Sequence, residues 1–219
     1  IDDAEPKVII SADAGSRGGR VVAYKPLLDE ALRQSSHQPA AVLMVNRGLA
    51  EMPMKAGRDH DWSALRARHM DAQVDCVWVE STHPSYTVAL AASMPHIFDA
   101  QAGQTFFCTS DIGWVVGHSY IIYAPLIAGM ATVMYEGLPV NPDAGIWWSI
   151  VEKYKVTHMF SAPTAIRVLK KHDADYLKRY DISSLKALWL AGEPLDEPTA
   201  TWISQAISKP IIDNYWQTE

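Results

Sequence analysis

Short β-rich runs alternate with amphipathic stretches of helical length along almost the whole chain, and no other feature narrows the possible folds as far. Residues 8–10, 41–45, 76–79, 105–109, 131–135, 157–160, 187–190 and 211–213 read as strands, being short, apolar and bounded by turn residues. Residues 26–35, 62–70, 88–98, 119–128, 146–154, 164–171 and 197–206 carry the 3.6-residue periodicity of helices. Strands that alternate with helices, without hairpin signals such as Asn-Gly, predict an α/β fold of mainly parallel sheets flanked by helices. A break near residues 80–87 divides a smaller first lobe, 1–86, from a larger second lobe, 87–219.

The chain has 219 residues, 48% of them hydrophobic, enough for one large α/β domain or two lobes with a sizeable core. Its formal net charge of −6 speaks against a broad nucleic-acid or anionic-membrane surface, so neither partner is expected. The longest apolar run, 121–135, is broken by Pro125 and Gly129 and is shorter than the roughly 20 residues a bilayer requires. The acidic opening Ile1-Asp2-Asp3-Ala4-Glu5 does not read as a signal peptide. Cys76 and Cys108 lack metal-ligand spacing and read as buried small hydrophobes, a usage that fits the cytoplasm.

In open parallel sheets, ligands bind beyond the carboxyl ends of the strands. After strand 105–109 comes Ser110-Asp111-Ile112-Gly113-Trp114-Val115-Val116-Gly117-His118-Ser119-Tyr120. Ser161-Ala162-Pro163-Thr164 follows 157–160, and Ala191-Gly192-Glu193-Pro194 follows 187–190. Asp213-Asn214-Tyr215-Trp216-Gln217-Thr218-Glu219 completes the set. Glycine, proline, acidic groups and aromatics thus gather at four strand ends, the composition of one ligand crevice.

The usual catalytic signatures do not occur. There is no Gly-x-Ser-x-Gly elbow, and Ser161 reads as a helix-capping serine. No His/Cys cluster suggests zinc, no Gly-x-Gly-x-x-Gly follows a strand, and His118 reads as a packed or hydrogen-bonded histidine. A reaction that needs no base remains open. A carboxylic acid, with a pKa of about 4–5, is already an anion at neutral pH and can attack phosphorus directly. It requires ATP held in line, a cation near the phosphates and exclusion of water. In the first lobe, Gly15-Ser16-Arg17-Gly18-Gly19-Arg20 reads on its own as a solvated basic loop, although two arginines there could clamp a phosphate.

Leu190-Ala191-Gly192-Glu193-Pro194 and Asp213-Asn214-Tyr215-Trp216-Gln217-Thr218-Glu219 resemble two core motifs of acyl-adenylate-forming enzymes. The stretch from Asp111 to Tyr120 looks like a motif of the acetate- and propionate-using members. Ser161-Ala162-Pro163-Thr164-Ala165-Ile166-Arg167 resembles a fourth stretch of the same enzymes. The similarity runs collinearly over residues 8–219. It implies a short-chain acyl-CoA synthetase, an acid–thiol ligase that uses ATP, magnesium and coenzyme A on a small carboxylate.

By that resemblance, Gly192, Glu193 and Pro194 contact adenine and ribose. Asp213, Asn214, Tyr215, Trp216, Gln217 and Thr218 wrap the adenine and the α-phosphate, and Glu219 helps to hold magnesium. Trp216 closes the acyl pocket, whose other walls are Val115, Val116 and Ala191. Ala191 stands where acetate-using members tend to carry valine, so the pocket gains room for about one carbon and favours propionate. One methylene is worth only ~1–3 kcal/mol, so the preference is graded. Arg17, Gly18, Gly19 and Arg20, with Val116, match the coenzyme A site.

The resemblance also implies a Thr/Ser/Gly-rich phosphate-cradling loop of about twenty residues between Tyr86 and Thr87, which are adjacent here. Either that loop is deleted or the numbering closes over a mobile segment; the second is the expectation. By the resemblance, the family's C-terminal domain with its catalytic lysine and an N-terminal part are absent from these 219 residues, which alone are expected to be inactive. Acetate or another short acid stays open as the substrate, as does a non-catalytic nucleotide- or CoA-binding deletion product.

Overall fold

The computed structural model describes residues 1–74 and 84–216, and the chain divides into two compact units, Ile1–Val79 and Glu80–Glu219. In the first unit the strands are β1 (Val8–Ala12), β2 (Ala14–Arg17), β3 (Arg20–Ala23), β4 (Ala41–Val45) and β5 (Asp59–Asp61). β1, β4 and β5 form a parallel sheet in the order β1-β4-β5. Helix Tyr24–Gln34 packs Leu28 and Leu32 against Ile9, Val42 and Met44. It begins two residues before the expected start because the Asp13 carbonyl accepts the amides of Tyr24 (2.9 Å) and Lys25 (3.4 Å). Pro26 then falls in the first turn, where a missing N–H breaks no helical bond. The second helix, Trp62–Arg68, is capped by the Asp61 side chain on the Ala64 amide. The strand expected at 76–79, with Cys76, lies outside the described residues.

The expectation that no hairpin occurs is corrected. β2 and β3 pair antiparallel around Gly18 and Gly19, whose φ values of 59° and 77° suit a two-residue mirror-image turn. Gly-Gly supplies the left-handed conformation that Asn-Gly usually marks.

The second unit holds β6 (Thr105–Cys108), β7 (Ala131–Val133), β8 (His158–Ser161), β9 (Ala187–Ala191) and β10 (Ile211–Asn214). All are parallel, in the order β10-β9-β8-β6-β7. β8 and β9 are buried along their whole length, as strands covered on both faces must be. Phe107, Met159, Leu188 and Leu190 point to one face, under helices Ile146–Tyr154, Pro163–Lys170 and Glu197–Ile207. Phe106, Phe160, Ala187, Trp189 and Ala191 point to the other, under helix Pro84–His96 and the helical run 115–127. Trp147 and Trp148 are buried in the first of these layers.

Helix Pro84–His96 starts earlier than expected and runs unbroken through Tyr86 and Thr87. It ends earlier too, since Pro95 removes an amide donor from its last turn. The helix expected at 119–128 starts at Val115 and contains a π-helical stretch, His118–Tyr123. A short helix, Asp175–Lys178, was not expected. Among the described residues, no helix is long and apolar enough to cross a membrane.

Candidate active site

β7 follows β6 on its outer side, whereas β8 lies on its inner side, so the strand order reverses between β6 and β8. The chain leaving β6 turns to one face of the sheet and the chain leaving β8 to the other. Such a reversal opens a crevice at the carboxyl ends of the strands, the usual ligand position in open α/β sheets. Two hydroxyls meet there: Thr109 Oγ1 donates to Ser161 Oγ at 2.7 Å. The Thr109 amide donates to the Phe160 carbonyl at 2.9 Å. Ser161 is therefore a strand-end residue and not the expected helix cap. The residue before helix Pro163–Lys170 is Ala162, which offers no side-chain cap.

Beyond β6 the chain folds tightly on Asp111, whose Oδ1 accepts the Gly113 amide (2.8 Å) and whose carbonyl accepts the Trp114 amide (3.1 Å). Gly117 returns against the same turn: a Cβ there would overlap the Asp111 carbonyl oxygen and approach Ile112 Cα to 2.7 Å. Only glycine fits at that position. Of the expected pocket walls, Val116 and Ala191 pack into one cluster with Tyr120 and Phe160, whereas Val115 is exposed. His118, expected to be packed or hydrogen-bonded, is exposed on the π-helical turn. Ser119 Oγ donates to the Val115 carbonyl (2.7 Å) and meets Tyr86 OH (2.7 Å), and Tyr120 OH donates to Ser93 Oγ (3.1 Å). These bonds fasten the π-helical stretch to helix Pro84–His96. Irregular turns of this kind are frequent at functional sites.

At the end of β10, Asp213 and Asn214 lie beside Leu190 and Ala191 of β9. Trp216, 38% exposed, sets its indole edge-on to Tyr120 (centroids 5.2 Å apart) and nearly parallel to Phe160 (6.4 Å, 14°). Tyr120 and Phe160, on which Trp216 rests, share one packed cluster with Val116 and Ala191. Tyr215 is 81% exposed and Trp114 70%, leaving two large faces to solvent. Gln217, Thr218 and Glu219 lie outside the described residues. Among those described, no group of three or more His, Cys, Asp or Glu side chains could hold a metal ion. Cys108, the last residue of β6, is a buried thiol pushed up to about 12 by desolvation.

The turn after β9 is pinned by charge. Gly192 has φ +98° and open space around it, so the chain reverses where a side chain would be strained. Glu193 Oε1 accepts the Thr164 amide at 2.6 Å, doing for helix Pro163–Lys170 what Ser161 was expected to do. Glu193 Oε2 pairs with Arg167 Nη1 at 2.8 Å. Arg167 Nη2 donates to the Pro194 carbonyl (2.9 Å) and Nε to Asp196 Oδ2 (2.7 Å). Asp196 Oδ1 caps helix Glu197–Ile207 at the Thr199 amide (3.0 Å). The bond from Thr164 and the Arg167 guanidinium hold the Glu193 carboxyl below its ordinary value. Those from Thr199 and Arg167 do the same for Asp196. Sequence reading did not single out Arg167 for this part. The available signal was the spacing of Thr164 and Arg167, one helical turn apart, facing two acids at 193 and 196.

Arg17 and Arg20 stand opposite each other at the tip of the β2–β3 hairpin, both exposed, in the first unit. Tyr24 packs so closely over Gly15 that a side chain there would collide with its ring. The buried Asp13 carboxylate accepts the amides of Arg47 (3.0 Å), Leu49 (2.7 Å) and Ala50 (3.1 Å). Burial alone would raise that group, but these amides bring it down to about 2.

Two surface grooves of the second unit lie away from the strand-end residues. One, of about 520 Å³, follows β7 beside helix Ile146–Tyr154; the other, of about 420 Å³, borders helix Glu197–Ile207. Neither is lined by Trp114, Glu193 or Trp216.

The sequence profile of the AMP-binding enzymes matches residues 79–219. The chain is 57% identical to propionate–CoA ligase of Escherichia coli (strain K12) over 240 aligned residues, covering all of this chain and 38% of that protein. Identity and coverage are the same with propionate–CoA ligase of Salmonella typhimurium. Against mitochondrial acyl-CoA synthetase short-chain family member 3 of Mus musculus, identity is 39%, over all of this chain and 36% of that protein. The chain therefore spans little more than a third of the length of these curated relatives. The bacterial alignments run over 240 positions against 219 residues here, so about twenty aligned positions of those relatives have no counterpart in this chain. A profile match over most of the residues, with identity that extends from end to end, shows that the chain belongs to the AMP-binding enzyme family.

Proposed function

We propose that this chain carries the acid- and nucleotide-binding core of an AMP-forming short-chain acyl-CoA synthetase with propionate as its preferred acid. One observation carries the reading. In a chain 57% identical to two propionate–CoA ligases, Trp216 stands on Tyr120 and Phe160, whose rings belong to the same packed cluster as Val116 and Ala191.

The carboxylate oxygen attacks the α-phosphorus of ATP, forming the acyl-AMP anhydride as pyrophosphate leaves. The coenzyme A thiolate then attacks the acyl carbon, forming the thioester as AMP leaves. Oxide is too poor a leaving group for direct thioester formation; AMP is a good one. The residues suit these tasks. Gly192 leaves space for close approach of a ligand to backbone, and the exposed Tyr215 ring offers adenine a stacking face. In the proposed acid pocket the Trp216 indole would limit the depth, and alanine at 191 in place of a larger side chain would leave room for a third carbon. Magnesium, held at Glu219, would offset phosphate charge. The exposed Arg17 and Arg20 would clamp the phosphate end of coenzyme A.

The roughly twenty missing positions are read as the phosphate-cradling loop between Tyr86 and Thr87. Turnover is accordingly expected from a polypeptide of the relatives' full length, in the cytoplasm, and not from these 219 residues. A non-catalytic nucleotide- or CoA-binding deletion product is the second reading, resting on the roughly twenty aligned positions that have no counterpart here.

Acid-dependent ATP–pyrophosphate exchange by the full-length polypeptide tests the proposal across acetate, propionate and butyrate. The expected order puts propionate first, by about fivefold or more over its neighbours. Exchange with none of the three would refute it. AMP binding without exchange would support the second reading.

A further inference from the structure

We infer that Arg167 is a positioning residue for the nucleotide loop Gly192–Pro194, acting through Glu193 and not on the ligand itself. The inference rests on the proposal that this loop receives the adenylate. Three contacts converge on it. Arg167 holds one oxygen of the Glu193 carboxylate and the Pro194 carbonyl, and the Thr164 amide holds the other Glu193 oxygen. Arg167 is itself fixed by Asp196, which caps the following helix. Glu193 is thereby an anchor, tied on both oxygens by β8–helix residues, and the loop meets its ligand chiefly with backbone at Gly192.

Without the guanidinium, Glu193 retains one amide donor and Pro194 loses its partner. The turn, already at a φ that only glycine adopts easily, is then no longer held on both sides. The loop would have to be ordered by the ligand. A tenfold loss of affinity, about 1.4 kcal/mol, is on the scale of fixing one residue's backbone. Lysine supplies the charge without the fork, so it can reach Glu193 or Asp196 but cannot also hold the Pro194 carbonyl.

Isothermal titration of the full-length polypeptide with AMP tests this. Arg167→Met should weaken AMP binding about tenfold or more, and Arg167→Lys by about threefold. Glu193→Gln should match Arg167→Met, and the double variant should be no worse than either single one, because both remove the same pin. Ile203→Val, a core truncation in helix Glu197–Ile207 away from the loop, should bind AMP within twofold of the parent, although its melting temperature falls. That separates loop positioning from general destabilisation. Parent-like AMP affinity in both Arg167→Met and Glu193→Gln would overturn the inference while leaving the nucleotide site standing. Absence of saturable AMP binding by the parent chain would instead overturn the site assignment on which the inference depends.

Discussion

The imidazole of His158 stacks on the indole of Trp189, ring centroids 5.3 Å apart and 24° from parallel, with Phe106 stacked at 6.1 Å. His158 is fully buried at the start of β8. Its Nδ1 lies 2.7 Å from Thr157 Oγ1, and its Nε2 has no partner. Burial, reinforced by the charge of Lys186, depresses its pKa below the ordinary 6.5.

Acid should therefore unfold the second unit in a window that starts near neutrality. Below pH 6.5 the unfolded chain takes up a proton that the fold refuses. Stability then falls by up to about 1.4 kcal/mol per pH unit until the depressed native pKa is passed. Above 6.5 the contribution is fully present. His158→Phe keeps the ring stack and should flatten this limb, at a cost under about 1.5 kcal/mol at pH 7.5. Urea melts between pH 5 and 7.5 give the comparison. Parallel pH profiles for the two proteins would show that His158 is not the titrating group.

Gly117→Ala should be far more damaging than one added methyl suggests. The new Cβ meets backbone, the Asp111 carbonyl and Ile112 Cα, which cannot swing aside as a side chain would. Overpacking of this kind costs about 1–3 kcal/mol. Gly113→Ala, whose nearest neighbour is the Asp111 side-chain oxygen at 3.2 Å, should cost less. Chemical denaturation orders the two variants; equal losses would contradict the tight turn described for residues 111–117.

In the first unit, Lys25 is fully buried and pairs with Asp59 at 3.0 Å and with Asp29, while Arg58 contacts both acids. Lys25→Met removes one charge from a balanced set of two cations and two anions. Breaking such a buried set costs about 3–5 kcal/mol, because an uncompensated carboxylate stays behind. The double variant Lys25→Met/Asp29→Asn restores the balance and should recover part of the loss. Denaturant midpoints of the two proteins check this; no recovery would mean that packing, not charge, dominates at Lys25.

Much of the fold could be read from sequence because its signals were local. Strand 41–45 and helix 146–154 match the expected bounds to the residue, the latter stopped by Lys155 in a left-handed conformation. Ends moved where a distant group decides them. The Asp13 carbonyl starts helix Tyr24–Gln34, and Glu193 caps helix Pro163–Lys170 from 29 residues away. The hairpin was missed because Gly18-Gly19 sat inside a run read as a basic loop. The meeting of Trp216 with Tyr120 and Phe160, in the cluster that holds Val116 and Ala191, was legible only in part. Motif order put them near one sheet edge, whereas the ring geometry depends on the register of β8, β9 and β10. Arg167 was hidden for the same reason, since its partners lie 26 and 29 residues away across a parallel crossover.

Titration of the chain with the ethyl, propyl and butyl phosphate esters of AMP, unreactive mimics of the acyl-AMPs, probes the acid pocket and the nucleotide loop together. Saturable one-site binding is expected, with the propyl ester tightest by about fivefold. The optimum should move to longer esters in Trp216→Gly, where removal of the indole from Phe160 and Tyr120 deepens the pocket. Equal affinities for AMP and all three esters, unchanged in Trp216→Gly, would contradict the assignment of these strand ends as an acyl-adenylate site.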